Sequence, residues 1–494
     1  MFPYKTSLQL NKALKEPLYL QLANQFILLI RNGKLVPGTK LLGSRTLADL
    51  LKIHRKTVVA CYEELLLQGW VESIPKKGTF VNTKLPLTQK TAITDSFYIS
   101  EKEYSGFSFY RNDGLLEKKI EKREGVMYIN DGVSDTRLAP AEEIARIYRR
   151  IASRKSIPTF LDYGTTYGNQ KLREVLATYL NETRGLQVSK EHILITRGSQ
   201  MGIWLSSQLL LNKDDIIVVG ETNYASADIT FLQRKARIKR VLVDDNGLVV
   251  KEIEKLCKKR AIKAVYVTSH HHHPTTVTLS AERRIHLLNL AKKYNFAIIE
   301  DDYDYDFNYN HAPILPLASH DTHGNVIYIG SVCKTVAPAF RVGYLIASKD
   351  FVNEAAKLRG YVDRQGDALL ELAFAEFIKS GDLDSHIRKV MKVYLERRDI
   401  FCKLLKENLA DYFKFEIPKG GMAVWLRLNK QYAWSLVAEE AVKHGLVIGE
   451  WQRYDLANKK HNGIRIGFAS YTKDEIVLLI QRLIATCKSI KKAL

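Results

Sequence analysis

From about Val126 to Ile346 the chain alternates short apolar runs with stretches of helical period, and no other feature constrains its fold as strongly. Candidate strands lie at His192–Thr196, Ile216–Val219, Arg240–Val243, Ala264–Thr268, Phe296–Glu300, Val326–Ile329 and Gly343–Ile346. Apolar runs separated by helices suit a mainly parallel sheet covered on both faces. This is an α/β architecture whose ligand chemistry gathers at strand ends.

The first 84 residues follow another pattern. They carry 13 Lys and Arg against 5 Asp and Glu, within a chain whose net charge is +21. So basic a segment suits a polyanion, nucleic acid above all, although charge alone leaves a solvated surface open. Leu18, Leu22, Phe26, Leu29 and Ile30 recur at helical spacing, and Gly33 stops that helix. Ser44 is placed to cap a short helix bearing Leu47, Leu50 and Leu51. A third helix is expected from about Arg55 to Gln68, with Val58, Tyr62, Leu65 and Leu66 inward. Two short strands flank a Pro75-Lys76-Lys77-Gly78 turn. This is the order of a winged helix-turn-helix. The third helix would enter the major groove by its N-terminal end, carrying Arg55, Lys56 and Thr57. Arg45 and the wing residues Lys76, Lys77 and Gly78 would meet the DNA backbone.

Residues 85–127 lack sustained periodicity and include the mixed-charge run Glu117–Glu124, which reads as a connector between two bodies. The five cysteines are scattered with no CxxC pair, arguing against a disulfide framework or structural zinc and for a reducing cytoplasm. No stretch approaches the length of a membrane span, and Met1–Lys5 opens no signal peptide.

In the larger body, Ile298–Asp304 puts acids at the end of an apolar strand, with Asp301 and Tyr303 on one face and Asp302 on the other. Gly330-Ser331-Val332-Cys333-Lys334 places a lysine just after another strand, and Arg341 follows seven positions on. A lysine for an imine, a carboxylate for a pyridinium nitrogen and an arginine for a phosphate are the set pyridoxal phosphate requires.

The N-terminal segment resembles the GntR family of winged-helix DNA-binding domains. The resemblance rests on Pro17–Leu22, Gly33–Gly38, Leu42–Ala48, His54–Val58 and Lys77–Val81; Leu42-Gly43 and His54 depart from its usual Pro-Ser and Ser. Residues 130–470 resemble fold-type-I aminotransferases, especially the aminotransferase-like domain of MocR/GabR regulators. The carriers are Tyr163-Gly164 with Gly168–Arg173, Thr196–Gln200, Glu300–Asp304, Gly330–Thr335, Arg341–Tyr344 and Asn462–Phe468.

That resemblance implies a small winged helix-turn-helix domain (1–84), a linker (85–127) and a large α/β domain that binds pyridoxal 5'-phosphate (128–494). Lys334 would form the Schiff base, Asp301 would pair with the pyridine nitrogen, and Tyr303 would meet the phenolic oxygen. Ser331, Arg341 and the amides around Ser199 and Gln200 would hold the phosphate, Tyr224 would stack on the ring, and Arg465 would bind an effector carboxylate. His270–Thr276 departs from the family's S-H-Q-x-P-T-G, His273 taking the place of an asparagine that faces the cofactor oxygen. Adjacent histidines diverge, so an active-site loop with one contacting histidine is expected rather than a metal site. Ser226 lies where some relatives carry a second arginine, and Cys333 replaces a small serine. The implied function is a cytoplasmic transcription regulator, a head-to-tail homodimer. It binds operator double-stranded DNA and senses a small amino compound by exchanging the Lys334 imine for an external one. The alternative is a working aminotransferase with an accessory DNA-binding head.

Overall fold

The computed structural model describes residues 2–85, 105, 107–110, 123–309, 314–332, 334–449, 451–454 and 461–493. Most of the expected connector, and Cys333, lie outside the described residues. The chain divides into two compact units, Met1–Arg111 and Asn112–Leu494.

In the first unit, helices α1 (Leu18–Arg31), α2 (Ser44–Leu51) and α3 (Arg55–Leu67) are followed by strands β1 (Val71–Ile74) and β2 (Gly78–Val81). The strands pair antiparallel, from Val71 opposite Val81 to Ile74 opposite Gly78. Leu22, Phe26, Leu47, Val58, Leu65 and Val81 are wholly buried between these elements. Two local expectations are corrected. Gly43 occupies the cap position of α2, and Ser44 is the first helical residue, its hydroxyl accepting from Arg55 Nε at 3.3 Å. Leu66 is 46% exposed, because Leu65 one position earlier already faces the core.

The second unit is built on a seven-stranded sheet. Its strands are β3 (Ile193–Thr196), β4 (Ile216–Gly220), β5 (Arg237–Val241), β6 (Ala264–Val267), β7 (Ala297–Asp302), β8 (Val326–Ser331) and β9 (Gly343–Ile346), in the order β3-β9-β8-β7-β6-β4-β5. Only β9 runs against the others. Every residue of β3, β6 and β9 is buried, as a sheet covered on both faces requires. Strand β5 begins three residues before the expected Arg240 and ends at Val241. It is an edge strand whose Arg237, Lys239 and Arg240 interrupt the apolar run.

A smaller antiparallel sheet joins β10 (Phe413–Lys414), β11 (Ala423–Leu428) and β12 (Gly463–Gly467). It shares a core with helices Asp382–Leu409 and Lys473–Ala493, where Phe401, Leu405, Ile466 and Leu479 are fully buried. Among the described residues no helix is long and apolar enough to cross a membrane. Cys61, Cys257, Cys402 and Cys487 are buried free thiols.

Candidate functional site

Strands β3, β4, β6, β7 and β8 all end on the same edge of the sheet, so the segments that follow them converge there. Register aligns Thr196, Gly343 and Ser331 across β3, β9 and β8. A side chain on Gly343 would put its Cβ 2.8 Å from the backbone of Gly198, so only glycine lets the β3 exit approach this closely. Gly198, in the left-handed region at φ +78°, opens helix α4 (Ser199–Leu210). The first amides of α4 have no partner within the helix. The Arg341 guanidinium closes the cradle: its NH2 donates to Arg197 O at 2.8 Å, and a Cβ on Gly198 would lie 3.1 Å from it. Ser331 Oγ donates to Val342 O at 3.3 Å beside them. Helix amides, a hydroxyl and a guanidinium on one edge form an anion site. The Gln200 side chain does not join it, because Nε2 donates to Thr230 Oγ1 at 2.9 Å.

On β7, the strand next to β8, Asp301 and Asp302 end the strand on opposite faces. Asp301 Oδ2 accepts from Tyr266 OH at 2.8 Å, while Oδ1 is buried and unpartnered. Burial pushes the Asp301 carboxyl up to about 7; Tyr266 opposes the shift and Asp302 adds to it. Asp302 accepts from Tyr328 OH at 2.8 Å and lies 3.1 Å from His270 Nδ1. Burial works against its charge as well, but His270 and Arg184 hold it down at about 2. Lys334 Nζ donates to Gly132 O at 2.7 Å and lies 5.4 Å from the Tyr303 ring. Burial depresses its pKa against the pull of Asp131, favouring a neutral, nucleophilic amine. Tyr303 OH donates to His271 O at 3.0 Å and accepts from Arg465 NH2 at 3.2 Å.

All four histidines of the run are buried, and each ring takes a different partner. His271 Nδ1 lies 2.8 Å from Asp304 Oδ1, His272 Nδ1 lies 2.9 Å from Thr275 Oγ1, and His273 Nε2 lies 3.6 Å from Asp131 Oδ2. Burial lowers His272 to about 3 and depresses His273. The Tyr224 ring meets His273 edge-on at 5.2 Å. Both line a cavity of about 300 Å3 with Asn130, Asp131, Arg453 and Arg465. Arg465 is built into the wall, donating to Asp131 O at 2.7 Å and Pro274 O at 3.2 Å as well as to Tyr303.

In the first unit Arg45, Arg55, Lys56, Lys76, Lys77 and Gly78 are exposed and Thr57 is half-buried. His54 caps α3, its Nδ1 accepting from Lys56 N at 3.1 Å. Lys76 adopts a left-handed conformation at the wing turn.

Residues 128–483 match the family described as aminotransferase class I and II. The chain belongs to the aminotransferase class I and II family. Residues 18–81 match the bacterial regulatory proteins of the gntR family. Together they make the chain a MocR-type transcription regulator, a GntR DNA-binding domain joined to a pyridoxal-phosphate aminotransferase-like domain. The chain is 28% identical to the uncharacterized HTH-type transcriptional regulator YisV of Bacillus subtilis, over 92% of each chain. It is 31% identical to aromatic-amino-acid aminotransferase 1 of Thermococcus litoralis, over 75% of this chain and 90% of that one. Among solved structures, the multiple substrate aminotransferase of Thermococcus profundus superposes with a TM-score of 0.72 at 27% identity, covering 78% of this chain and 98% of that one.

The aminotransferase-like domain fits the cofactor of its family, pyridoxal phosphate. The orphaned Asp301 Oδ1 lacks the partner a protonated ring nitrogen would supply, and the Gly198–Arg341 cradle has the donors a phosphate needs. The sequence motifs missed the turn Asn130-Asp131-Gly132, which touches Lys334, Arg465 and His273 at once. Asn130 Oδ1 folds that turn by accepting from Gly132 N at 3.0 Å, and the Asn-Asp-Gly composition was its only sequence signal. Tyr266, inside an apolar strand, gave none.

Proposed function

We propose that this MocR-type regulator binds operator DNA through residues 1–84 and senses a primary amine at Lys334 in residues 128–494, with 85–127 as the connector. The observation that carries the sensing role is a half-buried Lys334 amine, held by Gly132 O at 2.7 Å, near a buried carboxylate that lacks a partner on Oδ1. Bound at this site, pyridoxal phosphate supplies a carbonyl carbon for which Lys334 and a second primary amine compete. Ser331, Arg341 and the first amides of α4 hold the phosphate, and Asp301 accepts the ring nitrogen's proton. Tyr303 OH, whose hydrogen here goes to His271 O, would have to turn it to the phenolic oxygen, with His273 and Tyr224 against the ring. Burial lowers the proton affinity of Lys334 Nζ, which leaves its lone pair more available to the carbonyl carbon. The effector's carboxylate is assigned to Arg465. Release of Lys334 biases the domain arrangement and hence DNA affinity, a coupling between two sites. On DNA, Arg55, Lys56 and Thr57 read the major groove while Arg45, Lys76, Lys77 and Gly78 hold the backbone. A head-to-tail homodimer in the cytoplasm suits a repeated or symmetric operator.

The test is the visible spectrum of the purified protein with pyridoxal phosphate while amines and amino acids are added. A band that shifts with one compound and stays shifted without keto-acid release supports the sensor. Continuous keto-acid production with turnover on a second substrate would overturn it in favour of a working aminotransferase.

A further inference from the structure

We infer that Arg184 is a positioning residue for Lys334: it ties the turn that carries the lysine to the strand end that carries Asp301 and Asp302. The inference rests on the role proposed for Lys334.

Arg184 is the last residue of helix Gln170–Arg184, and its guanidinium is buried. One arm donates to Tyr328 OH, which itself donates to Asp302 Oδ2 at 2.8 Å. The other donates to Asp306 Oδ1 at 3.1 Å, and Asp306 Oδ2 accepts from Thr335 Oγ1 at 3.0 Å. Its Cζ lies 4.4 Å from the centroid of the Tyr305 ring, which the His270 ring meets edge-on at 4.8 Å. The path therefore begins beside Asp301 and ends beside Lys334, and it runs through Arg184, which lies 144 residues before Tyr328 in the chain. Thr335 O also lies 3.0 Å from Nε2 of His386, on helix Asp382–Leu409.

Stability does not account for such a network. A buried ion pair replaced by well-packed apolar groups is often neutral or more stable, so packing alone would favour leucine or phenylalanine here. What an arginine adds is direction. Its planar fork fixes two acceptors at once, and those acceptors hold the two halves of the site in one register. Without the Thr335–Asp306 bond, the lysine turn keeps its backbone but loses the side-chain tie to the acid strand.

Arg184 itself is too buried to replace safely, so the variants lie at the ends of the path. Full-length Thr335→Val, Asp306→Asn, Thr335→Ser and Lys334→Ala proteins are loaded with pyridoxal phosphate. Their circular dichroism, cofactor retention on dialysis and rate of spectral change with methylamine are then measured. Thr335→Val and Asp306→Asn are expected to keep the parental fold yet weaken retention and alter the methylamine rate about tenfold, the factor that accompanies one lost charged hydrogen bond. Thr335→Ser, which keeps the hydroxyl, is expected to restore parental values. Parental retention and rate in Thr335→Val and Asp306→Asn, with the band lost in Lys334→Ala, would overturn the positioning role alone. A parental band in Lys334→Ala would overturn both this inference and the sensor reading beneath it.

Discussion

Two carboxylates one residue apart on β7 are driven in opposite directions by their surroundings. Asp301 has an unpartnered oxygen, and burial raises it from an ordinary 3.8 to about 7; Asp302 faces His270 and Arg184 and stays near 2. The stability consequences have opposite signs. The raised Asp301 contributes stability fully below its unfolded value, and that contribution is lost as pH climbs from about 4 to about 7. Asp302 contributes above its unfolded value and loses that contribution as pH falls toward 2. A cationic ring nitrogen gives the Asp301 carboxylate its missing partner, so the thermal stabilisation gained on adding pyridoxal phosphate is expected to grow between about pH 4 and pH 7. Melting temperatures of the apo and loaded forms across that range check it; a parental profile in Asp301→Asn would refute the assignment. The acid pattern was legible in sequence because side chains two apart on a strand share a face. The sign of each shift was not, since Tyr266 and His270 come from other segments.

At the level of elements, the anion cradle depends on how closely β9 packs against the β3–α4 connection. Gly343 contacts the Gly198 backbone where any Cβ would intrude at 2.8 Å, and backbone cannot swing aside as a side-chain tip can. Gly343→Ala is therefore expected to cost ~1–3 kcal/mol of stability, in line with overpacking, and to weaken pyridoxal phosphate binding as well. Urea denaturation with cofactor titration measures both, and unchanged affinity would show that the cradle does not depend on this contact. Six of the seven main strands matched the expected spans to within two residues, because a strand buried on both faces is a continuous apolar run. Strand β5 was displaced because an edge strand tolerates charges. Of the smaller sheet, only the Asn462–Phe468 segment stood out in the sequence; its strands share one core with the long helices that precede and follow them in the chain, Asp382–Leu409 and Lys473–Ala493.

Over the whole molecule, charge and chemistry are divided between the two units. The first holds the densest basic surface, and Arg55 projects from the start of α3. If Arg55 reads a base, Arg55→Ala should weaken operator binding by ~1–3 kcal/mol while leaving non-specific binding nearly unchanged, whereas Lys77→Ala should weaken all DNA about equally and lower the salt slope by roughly one. Fluorescence anisotropy at several salt concentrations separates the two, and an equal loss on operator and random DNA in Arg55→Ala would remove the base-reading role.

What the sequence determined by itself was local or ordinal: the period of each helix and strand, the turn residues of the wing, the order of the two domains and the motifs carrying Asp301, Lys334 and Arg341. Those follow from backbone geometry over a few residues and from spacing along the chain. Only the tertiary structure decided the partners. The Lys334 amine meets the carbonyl of Gly132, 202 residues away; Arg465 is absorbed into the cavity wall; and the four histidines part to four different partners. The physical reason is desolvation. A side chain's charge and reactivity are set by which groups replace its water, and packing brings those groups from distant stretches of the chain.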